Sequence, residues 1–531
     1  MSSSSQTANR QIARAAGTVM AAMVLSQIFG LVAKVLNANA FGTSAESEAF
    51  FAANRFAEIL FNLVAGGALA SAFVPTFSGL LAHNDRNGAW RLASAVANVV
   101  TLILTSLALL SAIFAPQVVH YVLAPGWDAN STSAAKEALA ADLLRIQLPS
   151  AVIFGLSGLL MGILNAHQSF LYSALAPAMY PVGMIVGLIL LVPGMGVYGL
   201  AWGVVLGALL HLGVQIPALV HLPERHYRVT LGLDYPPLRE VIRLMGPRLI
   251  SVAVIQANFL LNTILASSQP EGSLTGITYG FALMLLPQAA IAQSIATAAL
   301  PTFSALAARG HLDDLRSALA ATLRGILLLA LPASLGLILL RVPLIRLLLE
   351  HGEFNARSTE LVSWALLWYA SGLVAHSVLE VVTRAFFALK DTKTPTLITT
   401  LAMALNLGLS LLFSAWFIQL GWMPHGGLAL ANTTATFLEV GTLLFLLRRK
   451  TGGLGGARVL SALGQGALAT AGMSVALLGW LGLTAGRAAW LQALGGVAIG
   501  GGVYGLLLLV QRTDEVGWLV GLVRRKVRPG K

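Results

Sequence analysis

The chain has 531 residues, of which 57% are hydrophobic and only 10% charged; its formal charge is +12 and it has no cysteine. Soluble domains carry about 25% charged residues, so much of this chain is unable to face water, and the missing cysteines exclude disulfides, thiolate metal sites and a cysteine nucleophile. Apolar runs of about 20 residues recur from end to end, each long enough to cross a bilayer core, without the ten-residue alternation of a membrane barrel. The expected fold is an all-α polytopic membrane protein.

In chain order, a polar tail with Arg10 and Arg14 leads into a first span at 15–41. It lacks a small-residue cleavage site and reads as a retained helix rather than a signal peptide. Spans at 49–82, 89–122, 135–166, 169–193 and 196–222 follow. After a basic loop come 237–267, 273–308, 314–348, 358–389, 394–419 and 425–447, then 457–483 and 488–511, for fourteen expected helices. Pro149, Pro181, Pro217, Pro287 and Pro332 sit inside spans, where each removes a backbone donor and favours a kink.

Charge alternates from loop to loop. One side holds Arg86 and Arg91, Arg225 and Arg228, Arg309 and Arg316, Lys390 and Lys393, then Arg448, Arg449, Lys450 and Arg458. Loops on the other side are short and polar or acidic, with Lys136 and Arg357 as their cations; Arg341 and Arg346, near the outer end of the ninth span, read as snorkelling side chains. The positive-inside rule then places both termini in the cytoplasm. It also accounts for the net charge without nucleic acid.

Pro-Thr-Phe-Ser occurs at 75–78 and again at 301–304, 226 residues later, each time closing an even-numbered span. "VYGLAWG" at the sixth span is echoed by "HGGLALA" at the twelfth. The order and near-constant spacing of these echoes predict two copies of a six-helix unit, followed by two extra helices. The expected domains are 1–222, 223–450 and 451–531. Six is even, so both copies insert in the same orientation, and a pseudo-twofold along the membrane normal with a substrate path between the lobes is expected.

Ionisable groups inside spans cost about 3 kcal/mol each by insertion scales and usually mark function or a partner. Lys34, Arg55 and Glu58 fall at similar depth on the antiparallel first and second spans, and Arg55 and Glu58 share a helix face. They read either as a cationic site for a diphosphate-like headgroup or as snorkelling groups with a structural ion pair. Glu380 and Arg384 in the tenth span are candidates for coupling or for mutual neutralisation, and Glu439 in the twelfth, which stands alone, for a protonatable coupling group or a buried neutral acid. His211 and His376 read as packing residues, and no metal or cofactor is expected. Phosphate loops, H-E-x-x-H, G-x-S-x-G and nucleotide fingerprints are missing from the sequence, so an enzyme is not expected.

Residues 25–81 resemble the first two helices of the MurJ (MviN) lipid II flippase family, in the MOP exporter superfamily. The skeleton is Ser26, Gly30, Phe41-Gly42, Ala49-Phe50-Phe51 and Gly67-Ala68, then Ala72-Phe73-Val74-Pro75. "YGFALMLLPQAAIAQSIATAALPTFS" and "LKDTKTP" resemble the family's eighth helix and the turn after its tenth. The resemblance implies two six-helix lobes, a lipid-tail groove at helices thirteen and fourteen, and export of an undecaprenyl-diphosphate-linked peptidoglycan precursor across the bacterial inner membrane. A monomer is expected, with the lipid-linked precursor and membrane lipids as partners. Most of the family's cavity arginines are replaced. Its S-R-V-L-G-x-x-R-D reads Gln27, Ala33 and Lys34 at the charged positions, and L-R-R-x-x-A-E-G reads Leu60, Phe61, Asn62, Ala65, Gly66 and Gly67. D-R-L-M-E-x-P runs from Phe281 to Pro287 without a charge. The expected substrate-binding set is therefore Lys34, Arg55, Glu58, Gln27 and Asn62. Two alternatives stand beside the flippase: an exporter of another amphiphile or lipid-linked glycan, and a scaffold that kept only the fold.

Overall fold

The computed structural model describes residues 22, 24–64, 70–127, 131–223 and 225–511. Arg10, Arg14, Ala65, Gly66, Gly67 and the basic C-terminal tail lie outside the described residues. The regular elements are all helices. We number them α1 (Val24–Phe41), α2 (Ala45–Val64), α3 (Ala70–Ala82), α4 (Arg86–Ile113), α5 (Ser131–Ala166), α6 (Phe170–Met195), α7 (Val197–Gly213) and α8 (Pro236–Ser267). Then come α9 (Ser273–Gln288), α10 (Ser294–Ala308), α11 (Leu312–Leu348), α12 (Ala356–Ser371) and α13 (Leu373–Ala388). The last four are α14 (Lys393–Gln419), α15 (His425–Thr451), α16 (Gly456–Leu483) and α17 (Ala489–Val510).

Among the described residues, 11 helices are long and apolar enough to span a membrane, or 12 if α12 and α13, bent by 46°, count as one. The fourteen expected spans therefore exceed the number found, and the shortfall falls on the second and seventh. The reason is polarity. α2 carries Glu46, Glu48, Arg55 and Glu58, and α3 has 13 residues. α8 holds Arg239, Glu240, Arg243 and Arg248 in its first half, so only Val252–Ser267, which is free of charge, counts as an apolar stretch. Elsewhere the lipid-facing character is plain: Ile113, Leu412, Val475 and Leu483 are exposed, which apolar side chains in such numbers do not do on a soluble surface.

Contacts divide the chain into two compact units, Met1–Glu271 with Gly352–Phe354, and Gly272–His351 with Asn355–Lys531. This division falls one helix later than the expected boundary at 222/223, because α8 packs on α2 and α3. The sequence repeat marks where a copy begins; packing decides which unit holds the helix.

In the first unit, α6 and α7 meet through glycines. A Cβ on Gly183 would lie 2.1 Å from the Gly207 nitrogen, and one on Gly187 would lie 2.6 Å from the Gly203 Cα. Glycines four apart on both helices let the backbones touch, the small-residue packing that drives association where lipid removes the hydrophobic force. Along α3, Phe73 stacks on Phe77 at 5.0 Å, and Phe77 meets the Trp90 edge at 6.3 Å. At the start of α2, Glu48 forms a buried ion pair with Lys136, whose ammonium sits 4.4 Å from the Trp127 ring centroid. The loop Gly352–Phe354 closes over this end, with the Glu353 N–H donating to the Asn39 carbonyl at 3.0 Å.

In the second unit, α10, α11, α13 and α15 bury Phe303, Leu319, Ile326, Val381, Phe386 and Leu443. A π-turn, Ala289–Gln293, joins α9 to α10. α16 and α17 pack against each other and on α11. Their cluster, Leu328, Leu340, Met473, Leu477 and Tyr504, is separate from the main one, and the Tyr504 hydroxyl donates to the Leu328 carbonyl at 2.5 Å.

Both copies of Pro-Thr-Phe-Ser do the same job. Phe77 and Phe303 are fully buried, and each helix then ends on a left-handed residue, Asn84 (φ 59°) or Gly310 (φ 73°). The cap bonds match one for one. His83, Asn84 and Asp85 donate to Gly79, Leu81 and Leu80, while Arg309, Gly310 and His311 donate to Ala305, Ala307 and Leu306. A second matched pair of caps follows α5 and α13, with Gln168 (φ 59°) and Lys390 (φ 57°) in the left-handed position. Such a cap satisfies the last carbonyls of a helix, and its recurrence shows the repeat in backbone geometry as well as in letters.

Candidate functional site

The first unit gathers one charged cluster. Asn54, Arg55, Glu58 and Asn62 follow at helical spacing along one side of α2. The Arg55 guanidinium donates to Glu58 Oε2 at 2.8 Å, and Asn54 Nδ2 donates to Glu58 Oε1 at 2.9 Å. Lys34 on α1 is exposed and lies within electrostatic reach of the same carboxylate. Two cations thus face one anion.

Second-layer contacts hold these groups. The Tyr180 hydroxyl of α6 donates to Asn54 Oδ1 at 3.4 Å, and Phe259 of α8 lies 5.2 Å below the Arg55 guanidinium carbon. Behind Tyr180, Phe154 meets it edge-on at 5.3 Å and meets His211 at the same distance. His211 exchanges a 2.6 Å hydrogen bond with Ser157, which also accepts from Gln215 at 2.5 Å. Asn54, Tyr180 and Phe259 escaped the sequence reading because they are uncharged and come from segments far apart. Gln27, one heptad before Lys34 on α1, is exposed, and Asn62 is half-buried; both lie along the cluster's helices without joining its hydrogen bonds.

The second unit differs. Glu380 and Arg384 form an ion pair along α13. Gln288 of α9 donates to Glu380 at 3.4 Å, and Arg384 reaches the Thr297 hydroxyl at 3.4 Å. Glu439 on α15 is buried and accepts the Thr399 hydroxyl at 2.5 Å. His376 bonds Asn432 at 3.1 Å. Among the described residues, no group of three His, Asp or Glu side chains is placed to hold a metal ion. Outside the spans, the turn after α13 is closed by Asp391, which accepts from Lys450 at 2.7 Å and from the Thr394 N–H at 3.0 Å. Chiefly the Lys450 contact, then the Thr394 bond, holds its carboxyl down from 3.8 to about 2.

The family model for lipid II flippase MurJ matches residues 37–493. The lipid II flippase MurJ of Burkholderia cenocepacia is 31% identical over 448 residues, 83% of this chain and 84% of that one. A probable lipid II flippase MurJ of Vibrio cholerae is 31% identical over 434 residues, 80% of this chain and 81% of its own. Among solved structures, lipid II flippase MurJ in an inward closed conformation superposes with a TM-score of 0.78 at 26% identity, covering 93% of this chain and 98% of that one. An inward-facing multidrug MATE transporter of the MOP superfamily gives 0.68 at 16% identity, over 81% of this chain and 96% of that one. At that identity the likeness is one of fold.

Proposed function

The chain belongs to the lipid II flippase MurJ family, and from that premise we propose that it carries a lipid-linked peptidoglycan precursor from the inner to the outer leaflet of the bacterial plasma membrane by alternating access. The observation that carries the reading is the family match across residues 37–493. It favours flipping over the export of another amphiphile, since the multidrug relative shares only the fold.

Within this reading the precursor's diphosphate is held by Lys34 and Arg55. Support comes from their convergence with Asn54 and Tyr180 in the first unit, and from the strength of charge-assisted contacts to phosphate. Glu380, Arg384 and Glu439 serve the coupling step. The basic loops support cytoplasmic termini, which reporter fusions at Asn130 and at Gly453 check: outside and inside, respectively. The protein works as a monomer.

The test is rescue of a bacterium depleted of its own lipid II flippase. The wild-type chain is expected to restore growth and Lys34→Glu, at equal membrane abundance, to fail. Failure of the wild-type chain, inserted and abundant, overturns the flippase reading and leaves the scaffold alternative.

A further inference from the structure

Arg55 does not present its full fork. One terminal nitrogen is engaged by Glu58 Oε2 at 2.8 Å, the guanidinium face lies on Phe259, and Nε is buried with no hydrogen-bond partner. The Glu58 carboxylate also takes the Asn54 amide and lies within reach of Lys34. It is therefore an anion seated where an anionic headgroup would sit, contacting the donors that headgroup would use. The cluster does not need it for helix stability. A half-exposed i,i+3 pair is worth only a few tenths of a kcal/mol, whereas an acid in a span is costly. Glu58, with 38% of its side chain exposed, has room to swing away by rotation about its side-chain bonds.

We infer that Glu58 is an exchangeable counter-ion: it holds Arg55 and Lys34 in the empty site and is displaced by the diphosphate, so that it weakens binding and sets a threshold for anionic headgroups. This rests on the assignment of Lys34 and Arg55 to the headgroup. Its consequence is opposite to that of an ordinary contact residue. Binding must break the Arg55–Glu58 and Asn54–Glu58 contacts, so removing the carboxylate's charge lowers the cost of entry. A neutral headgroup would not displace Glu58 and would be indifferent to it.

The experiment titrates the purified full-length protein with farnesyl diphosphate and with farnesol, for wild type, Glu58→Gln, Glu58→Ala, Lys34→Ala and Arg55→Ala, with thermal unfolding recorded for each. Glu58→Gln and Glu58→Ala are expected to bind the diphosphate about tenfold more tightly, the scale of one charge-assisted contact, with farnesol binding unchanged. Lys34→Ala and Arg55→Ala are expected to weaken the diphosphate alone. If the two cation variants weaken binding while both Glu58 variants bind as wild type or worse, the headgroup assignment stands and the counter-ion role is overturned; Glu58 then only orients Arg55. If the cation variants bind normally, the headgroup assignment fails and this inference with it.

Discussion

The two units share matched helix caps but differ in how their charged side chains are paired. Their helix caps match bond for bond. Yet the position of Arg55, counted 226 residues on, is Phe281, which meets Tyr369 edge-on at 5.1 Å; Glu58 maps to Met284 and Lys34 to Leu260. The first unit keeps two cations against one acid at the junction of α1 and α2. The second pairs Glu380 with Arg384 one to one and buries Glu439 against Thr399. The cluster around Glu58 thus carries one more cation than acid, whereas the two span acids of the second unit each have a partner.

The largest expected effect comes from reversing that sign. Lys34→Glu turns the first cluster net negative and is expected to abolish precursor transport without loss of membrane abundance; residual transport near wild type would erase the contrast between the units. Lys34→Ala and Arg55→Ala each remove one charge-assisted contact, worth about 1.5–3 kcal/mol, and are expected to cost tenfold or more in headgroup affinity by equilibrium binding. A third test reaches the cluster through packing. A Cβ on Gly207 would lie 2.6 Å from the Tyr180 carbonyl oxygen, so Gly207→Val displaces α6 and with it the Tyr180–Asn54 contact. It is expected to lower headgroup affinity severalfold and to lower the unfolding temperature. Gly501→Val on α17, where a Cβ meets nothing within 4 Å, is expected to do neither.

How much of this was legible in the letters follows from what makes a signal. The Arg55–Glu58 pair was visible because three residues apart on a helix means one face, and the repeat was visible because Phe77 and Phe303 are both needed in a core. Asn54, Tyr180 and Phe259 were invisible because their roles depend on α2, α6 and α8 meeting, and neutral residues inside apolar spans carry no mark of that. Glu439 read as solitary because its partner, Thr399, lies forty residues earlier on another helix. Length and apolarity alone pick out fewer than the fourteen expected spans among the described residues, because α2 and α8 are polar for helices that lie within a membrane protein. The lobe boundary at 222/223 followed the repeat, while α8 follows its packing partners.

The smallest expected effect compares the matched turns after α5 and α13. Ser169 makes no side-chain cap, whereas Asp391 accepts from Thr394 and Lys450. Its folded pKa, about 2, lies below the ordinary 3.8. The sign follows: its stabilisation is present above about pH 4, is lost as pH falls toward 2, and is absent once the carboxyl is protonated in both states. Asp391→Asn is expected to lower the unfolding temperature slightly at neutral pH and by less as pH falls toward 2, and Ser169→Ala to leave it unchanged throughout. Its partner Lys450 is 41% exposed and the pair lies at the surface, so the difference is small.

The most direct measurement of the central claim is a titration of lipid II into the nanodisc-embedded protein, comparing Lys34→Ala and Arg55→Ala with the double variant Glu380→Gln/Arg384→Gln, which removes both charges of the second unit's pair at once. The account predicts that the first two lose affinity tenfold or more while the double variant binds as wild type and is slowed only in translocation. Normal binding by the first two, with affinity lost in the double variant, would contradict it and move the headgroup site to the second unit.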